Sequence, residues 1–142
     1  MRTRFLLLLA PLLGACAGPL PAHDPQRAWV DLYTQPANTL LAERLDGVVL
    51  DDGRYFQVPP GKHRLEVRFQ YEVPGGGGPN GMNDMGQITC RVWLTYEHFV
   101  AGQRYRLELR PQLRSALALL TDASGQLVAK TDFQGTLDCS LP

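Results

Sequence analysis

The sequence predicts an all-β fold, a single small antiparallel β-sandwich, and three observations carry this prediction. Apolar and polar residues alternate with a period of two over long stretches, which places the apolar side chains on one face of a strand. Glycine and proline turns separate short strand candidates at intervals of about 8–12 residues, as in sandwiches and barrels. No stretch shows a convincing period of 3.6 residues, although 36–44 is compatible with a helical turn. The 142 residues, 44% of them hydrophobic, suffice for one domain.

Four segments carry the strongest strand pattern. Residues 64–73 alternate over five periods, with an apolar residue at every odd position. The segments 88–96 and 104–110 follow the same rule, and 28–33 opens the domain. In this first strand, alternation predicts Ala28, Val30 and Leu32 on the inner face and Trp29, Asp31 and Tyr33 on the outer face.

Weaker strand candidates occupy the intervals between these four segments. They are 39–45, 54–58, 116–121, 127–131 and 136–139. Turn-forming residues separate them, namely Asp46-Gly47, Asp52-Gly53, Pro59-Pro60-Gly61, Ala101-Gly102 and Ser124-Gly125.

The first sixteen residues are organised like an export signal. Arg2 and Arg4 precede an apolar run of nine residues, 5–13. A helix needs about 20 residues to span a bilayer, whereas nine suit the apolar core of a signal peptide. The next residues, Leu13-Gly14-Ala15-Cys16, resemble a bacterial lipobox. The resemblance implies that 1–15 is a lipoprotein signal peptide and that Cys16 is acylated; the alternative is a secreted protein with an unmodified cysteine.

The resemblance to bacterial lipoproteins also implies a location. Ala17 stands where an aspartate would retain a lipoprotein in the inner membrane, so the expected address is the periplasmic face of the outer membrane. Residues 16–27 contain three prolines and predict a lipidated, semi-extended tether, which leaves 28–142 as the sandwich domain. The full chain has 14 basic and 14 acidic residues. Losing Arg2 and Arg4 with the signal peptide would leave 12 and 14, a net charge of −2.

Export predicts a disulfide, because the periplasm is oxidising. With Cys16 lipidated, Cys90 and Cys139 are the two cysteines left to pair. The loop that they close has about 50 residues, which gives on the order of 4 kcal/mol of stabilisation in the chain-entropy model. Two isolated cysteines lack the close spacing of a zinc site.

Two stretches resemble known envelope modules. The first contains Asp46-Gly47 and then, over 55–67, YFQVPPGKHRLEV; it resembles the β-modules of the PEGA type. The second, FVAGQRYRLEL over 99–109, is similar to a strand of small uncharacterised envelope lipoproteins that carry such modules. Together they cover about a third of the mature chain. The resemblance implies an immunoglobulin-like or transthyretin-like sandwich with a structural or binding role.

Catalytic and cofactor signals are weak. His23, His63 and His98 belong to no H-x-H or H-E-x-x-H pattern, and we expect neither an enzyme nor a cofactor. The aspartates at 46, 51 and 52 precede or flank glycines, which indicates turns in preference to a calcium site. The balanced charge argues against nucleic-acid binding.

Contacts with a partner have several candidate sites. The glycine-rich segment 74–86 carries Met82 and Met85, which suit an adaptable protein contact, and the alternative is a plain hairpin connection. Trp29 and Trp93 would form an exposed aromatic patch if their strands were neighbours. Outward arginines would face anionic lipid headgroups or form cross-strand ion pairs.

These features together predict an outer-membrane-anchored periplasmic lipoprotein with a non-enzymatic structural or protein-interaction role. Its membrane contact would be the lipid on Cys16, and its partner an envelope protein. The alternatives are an inhibitor of a cell-wall-degrading hydrolase and a glycan-binding module.

Overall fold

A computed structural model describes residues 18–74, 85–131 and 137–140. These residues form an all-β structure in which no helix occurs within the described ranges. The strands, numbered in chain order, are β1 (Ala28–Thr34), β2 (Thr39–Leu45), β3 (Val48–Val49), β4 (Tyr55–Val58), β5 (Gly61–Pro74), β6 (Met85–Phe99), β7 (Arg104–Gln112), β8 (Ser115–Asp122), β9 (Leu127–Lys130) and β10 (Leu137–Ser140).

The strands form two five-stranded sheets that face each other as a sandwich. Sheet 1 has the order β4-β1-β7-β8-β9, and sheet 2 has the order β10-β6-β5-β2-β3. Every pairing is antiparallel except that of β1 with β7, which is parallel from Trp29 opposite Arg104 to Thr34 opposite Leu109. The all-β sandwich predicted from the alternation is therefore confirmed.

The core lies between the sheets, where the period-two pattern places it. Most of the alternating apolar residues of β5, β6 and β7 are buried. Ala116, Ala118 and Leu120 of β8 belong to the same buried cluster. The buried apolar positions of the three long strands are Leu65, Val67, Phe69, Tyr71, Ile88, Cys90, Val92, Leu94, Phe99, Tyr105, Leu107 and Leu109. Burying each large apolar side chain is worth about 1.5–3 kcal/mol relative to exposure, so this shared interior holds the two sheets together.

The two ends of the sandwich differ in their connections. Three turns lie at one end, which we call the turn end: β2–β3, β4–β5 and β6–β7. They contain Asp46, Pro60 and Gly102, respectively. At the opposite end, the hairpin end, β5 and β6 meet at Pro74 opposite Met85, and the β7–β8 hairpin has Leu113 at its tip. The Tyr71 hydroxyl lies 2.9 Å from the Leu113 carbonyl oxygen, which ties the hairpin to sheet 2.

Asp46 and Gly47 form the two-residue turn that joins β2 to β3. Asp46 and Gly47 have φ angles of 51° and 84°, so both adopt the left-handed conformation of a type I′ hairpin. Asp46 is one of the few residue types that tolerate this region, and glycine does so without strain. The turn leads into β3, a two-residue edge strand that the sequence analysis did not predict.

One expectation for local structure is wrong. The helical turn considered for 36–44 does not form, because β2 begins at Thr39 and pairs with β5. Trp29 alternates outward as expected, yet its exposed fraction is 3%. One covering residue, Tyr55, belongs to the predicted domain, and the other, His23, precedes it.

Candidate functional site

The two domain cysteines pair as predicted. Cys90 of β6 and Cys139 of β10 lie opposite each other in the register, with their sulfur atoms 1.97 Å apart. The disulfide therefore fastens the edge strand β10 to the body of sheet 2. Cys16, the predicted lipidation site, lies outside the described residues.

Residues 18–27, which we call the N-terminal segment, lie against the outer face of sheet 1. The His23 ring stacks on Trp29 with 3.9 Å between ring centroids, and Trp29 stacks on Tyr55 of β4 at 4.3 Å. The Gly102 amide donates to the Arg27 carbonyl oxygen at 2.9 Å. Gly18, His23 and Arg27 of the sequence predicted to be a tether therefore contact the domain.

The predicted aromatic patch of Trp29 and Trp93 does not form. Trp29 belongs to β1 of sheet 1 and Trp93 to β6 of sheet 2, so the two indoles lie on opposite outer faces. His23 and Tyr55 cover Trp29, while the Arg64 guanidinium lies 5.8 Å from the centroid of Trp93. Alternation within a strand gives the face of each tryptophan but not the sheet to which its strand belongs.

An ion pair adjoins the aromatic stack on sheet 1. Asp31 accepts a hydrogen bond from Trp29 Nε1 at 2.9 Å and is held by Arg104 of the neighbouring β7. The Arg104 guanidinium lowers the pKa of the Asp31 carboxyl below its ordinary value, against the opposing effect of partial burial, and the indole N–H acts in the same direction. The pair fixes the Trp29 ring on the sheet.

A shallow depression of about 490 Å³ opens beside this ion pair. Charged side chains from three neighbouring strands line it, among them Asp31, Arg104, Arg106, Glu108 and Asp122. The Arg106 guanidinium lies 3.7 Å from the centroid of the Tyr33 ring, and Glu108 accepts from Arg110 at 2.7 Å. Most charged groups of this depression therefore form an ion pair or, in the case of Arg106, lie over an aromatic ring.

Cross-strand ion pairs form on the outer faces of the sheets, and one of them involves an outward arginine considered from the sequence, Arg104. Arg104 pairs with Asp31, and Arg44 Nε lies 3.8 Å from an oxygen of Glu66 across β2 and β5. Glu66 is 7% exposed although it alternates outward. Sequence alternation missed this buried carboxylate, whose register neighbours are Arg44 and Trp93.

The histidines make structural contacts. His63 Nδ1 lies 2.6 Å from Asp46 Oδ2, and its Nε2 lies 3.4 Å from the Pro60 carbonyl oxygen. The other Asp46 oxygen accepts from the Arg64 amide at 2.8 Å. Burial raises the pKa of Asp46, but hydrogen bonds from Arg64 and His63 outweigh this effect and lower it. The His63–Asp46 pair thus fastens the β2–β3 turn to β5.

The predicted partner loop is described at its two ends. Pro74, Met85 and Gly86 belong to the β5–β6 ladder, with Met85 57% exposed. Met82 and the rest of 75–84 lie outside the described residues. No group of three or more metal-ligating side chains occurs in the part of the chain that the structure describes. Within the same ranges, no helix is long and apolar enough to cross a bilayer.

The chain matches no protein-family model, no curated protein and no solved structure. No relative therefore lends it an activity, a substrate or a partner.

Proposed function

We propose that this protein is an outer-membrane lipoprotein, held at the periplasmic face by acyl chains on Cys16, with a non-enzymatic structural or protein-interaction role in the cell envelope. The observation that carries the proposal is the use of the three cysteines. Cys90 and Cys139 are joined in the sandwich, which leaves the cysteine of the lipobox-like sequence as the one available for acylation.

The disulfide supports an exported domain, because such bonds persist in oxidising compartments and are rare in the cytosol. The surroundings of the histidines support a structural or protein-interaction role instead of catalysis. His23 is stacked on an indole, and both ring nitrogens of His63 lie near oxygen acceptors.

Two acyl chains or more suffice for stable membrane anchoring, since each buried methylene contributes about 0.8 kcal/mol. A single modified residue at the mature N-terminus would therefore keep the whole domain at the membrane. The domain would then present its sheet faces and hairpins to a neighbouring envelope protein.

Metabolic labelling tests the proposal. The full chain and its Cys16→Ser variant are expressed in a two-membrane bacterium that is fed an alkyne analogue of palmitate. We expect label in the full chain, recovered with the outer-membrane fraction, and neither label nor membrane recovery for Cys16→Ser. Cys139→Ser serves as the matched control and should keep the label. An unlabelled full chain in the soluble periplasmic fraction would overturn the proposal.

A further inference from the structure

The N-terminal segment is fixed to the domain at points along its length. At its start, Arg54 Nη1 donates to the Gly18 carbonyl oxygen at 2.8 Å. The guanidinium is itself oriented by Asp52, which accepts from Nε at 2.9 Å and from Nη2 at 2.7 Å. Further along, His23 stacks on the buried Trp29. The segment therefore runs along the domain from the Arg54 side to the turn end.

This docking limits how far the domain can lie from an anchor on Cys16. Two peptide units separate Cys16 from Gly18, and they span at most about 7 Å. A free tether of twelve residues would instead span about 20 Å as a flexible coil and about 37 Å as an extended, proline-rich spacer. A lipid on Cys16 would consequently hold the Arg54 side of the sandwich next to the bilayer.

The Arg54 side is the edge at which the chain passes from sheet 2 to sheet 1. Residues 50–53 follow β2 through two backbone hydrogen bonds, from Leu50 N to Glu43 O at 3.0 Å and from Ala42 N to Gly53 O at 2.8 Å. Arg54 comes next and leads into β4, the edge strand of sheet 1. The edge strand β3 and the docked Gly18 therefore lie on the same side of the molecule.

Apolar side chains are exposed along this edge. Val48 and Val49 of β3 are 68% and 62% exposed, and Leu20 of the N-terminal segment is 54% exposed. The type I′ turn before Val48 gives this hairpin a fixed shape, and its Asp46 is fastened to His63. Exposed apolar side chains therefore lie on the β3 hairpin and two residues after Gly18, on the side of the molecule from which the anchor would leave.

The charges of the edge do not attract an anionic surface. Asp52 pairs with Arg54, and Asp46 lies against His63. Arg44, which is opposite Val49, pairs with Glu66, and Asp51 is exposed. A contact between this edge and lipid would therefore depend on the covalent anchor and the valines. Such a contact should be insensitive to salt, because screening weakens only the charge interactions.

We propose that the edge formed by Leu20, Val48, Val49 and Arg54, which we call the anchor edge, is a lipid-docking surface that lies against the membrane, with the opposite edge of the sandwich, formed by β9 and β10, directed away. This inference rests on the proposed acylation of Cys16. It adds an orientation that the presence of an anchor alone would not specify.

Photo-crosslinking in vesicles tests the orientation. The full acylated protein, purified from membranes, is reconstituted in vesicles of phosphatidylethanolamine and phosphatidylglycerol with a photo-reactive residue in place of Val48. The matched control carries the same residue in place of Leu113, which is 87% exposed at the hairpin end. Irradiated protein is scored by intact mass for lipid adducts, at low and high salt.

We expect several-fold more lipid adduct at position 48 than at position 113, with the same ratio at both salt concentrations. Equal yields from protein that floats with the vesicles would overturn the lipid-docking surface and leave the proposed anchor intact. A covalent dimer through position 48 would assign the edge to a second copy and also overturn it. Protein that fails to float with the vesicles would overturn the proposed function, and this inference with it.

A second variant tests the role of the N-terminal segment. His23→Ala/Arg54→Ala removes two of its contacts while leaving the disulfide and the core unchanged. The ratio of adducts at positions 48 and 113 should fall towards one, although flotation is retained and the circular dichroism spectrum is that of the parent protein. A ratio that stays high would show that docking of this segment does not orient the domain.

Discussion

Breaking the Cys90–Cys139 disulfide should lower the free energy of unfolding by about 4 kcal/mol. The two cysteines are 49 residues apart, and the chain-entropy relation for a loop of this length gives that figure at 25 °C. In this model the bond stabilises the fold by lowering the entropy of the unfolded chain, and the effect is large because the loop is long. For a small domain with a total stability of about 5–15 kcal/mol, the loss would be a large share.

Urea unfolding followed by far-ultraviolet circular dichroism measures this loss. The Cys16→Ser chain, which lacks the proposed anchor, is unfolded with and without reductant, so that both samples keep the same side chains. The Cys90→Ala/Cys139→Ala variant controls for the reductant and should unfold identically in both conditions. A difference of less than about 1 kcal/mol between the oxidised and reduced proteins would refute the loop-length reasoning.

Three further predictions concern single contacts. Gly47→Ala should destabilise the domain by about 1 kcal/mol, because φ is +84° there, whereas Gly18→Ala, with open space around it, should leave the urea midpoint unchanged. Tyr71→Phe should cost about 1 kcal/mol in the same assay, since it removes the hydroxyl that bridges to the β7–β8 hairpin. The pKa of Asp31 is lowered by Arg104 in the folded state, so its stabilising contribution is present above the unfolded value of about 3.9 and is lost as the pH falls through the lower folded value. Asp31→Asn should reduce the loss of unfolding free energy between neutral and acid pH, measured by urea unfolding at each pH. The reduction should be at most about 1 kcal/mol, because the pair is partly exposed.

The parts of the fold that depend on local pattern were predictable from the sequence. Strict alternation in 64–73 and 104–110 identifies both the strand and its buried face, because side chains of a strand point to opposite sides in turn. The Asp46-Gly47 pair identified a turn, since these residue types tolerate the left-handed region that it requires. β3 was not predicted, because two residues are too few to show alternation of apolar and polar side chains.

The parts that depend on contacts distant in sequence were not predictable. The sheet to which a strand belongs is decided by pairing partners, so Trp29 and Trp93 were placed in one hypothetical patch although they lie in different sheets. The burial of Trp29 depends on His23, which lies before the predicted domain boundary. Glu66 is covered through register neighbours on two adjacent strands, which its own strand does not reveal.

The proposed function and the proposed orientation both depend on Cys16 being the acylated first residue of the mature protein. Mass spectrometry of the protein purified from outer membranes measures this most directly, by intact mass and by sequencing of the N-terminal peptide. We expect a chain that begins at Cys16 with a diacylglyceryl group on its thiol. A mature chain that begins elsewhere, or that carries Cys16 as a free thiol, would contradict it.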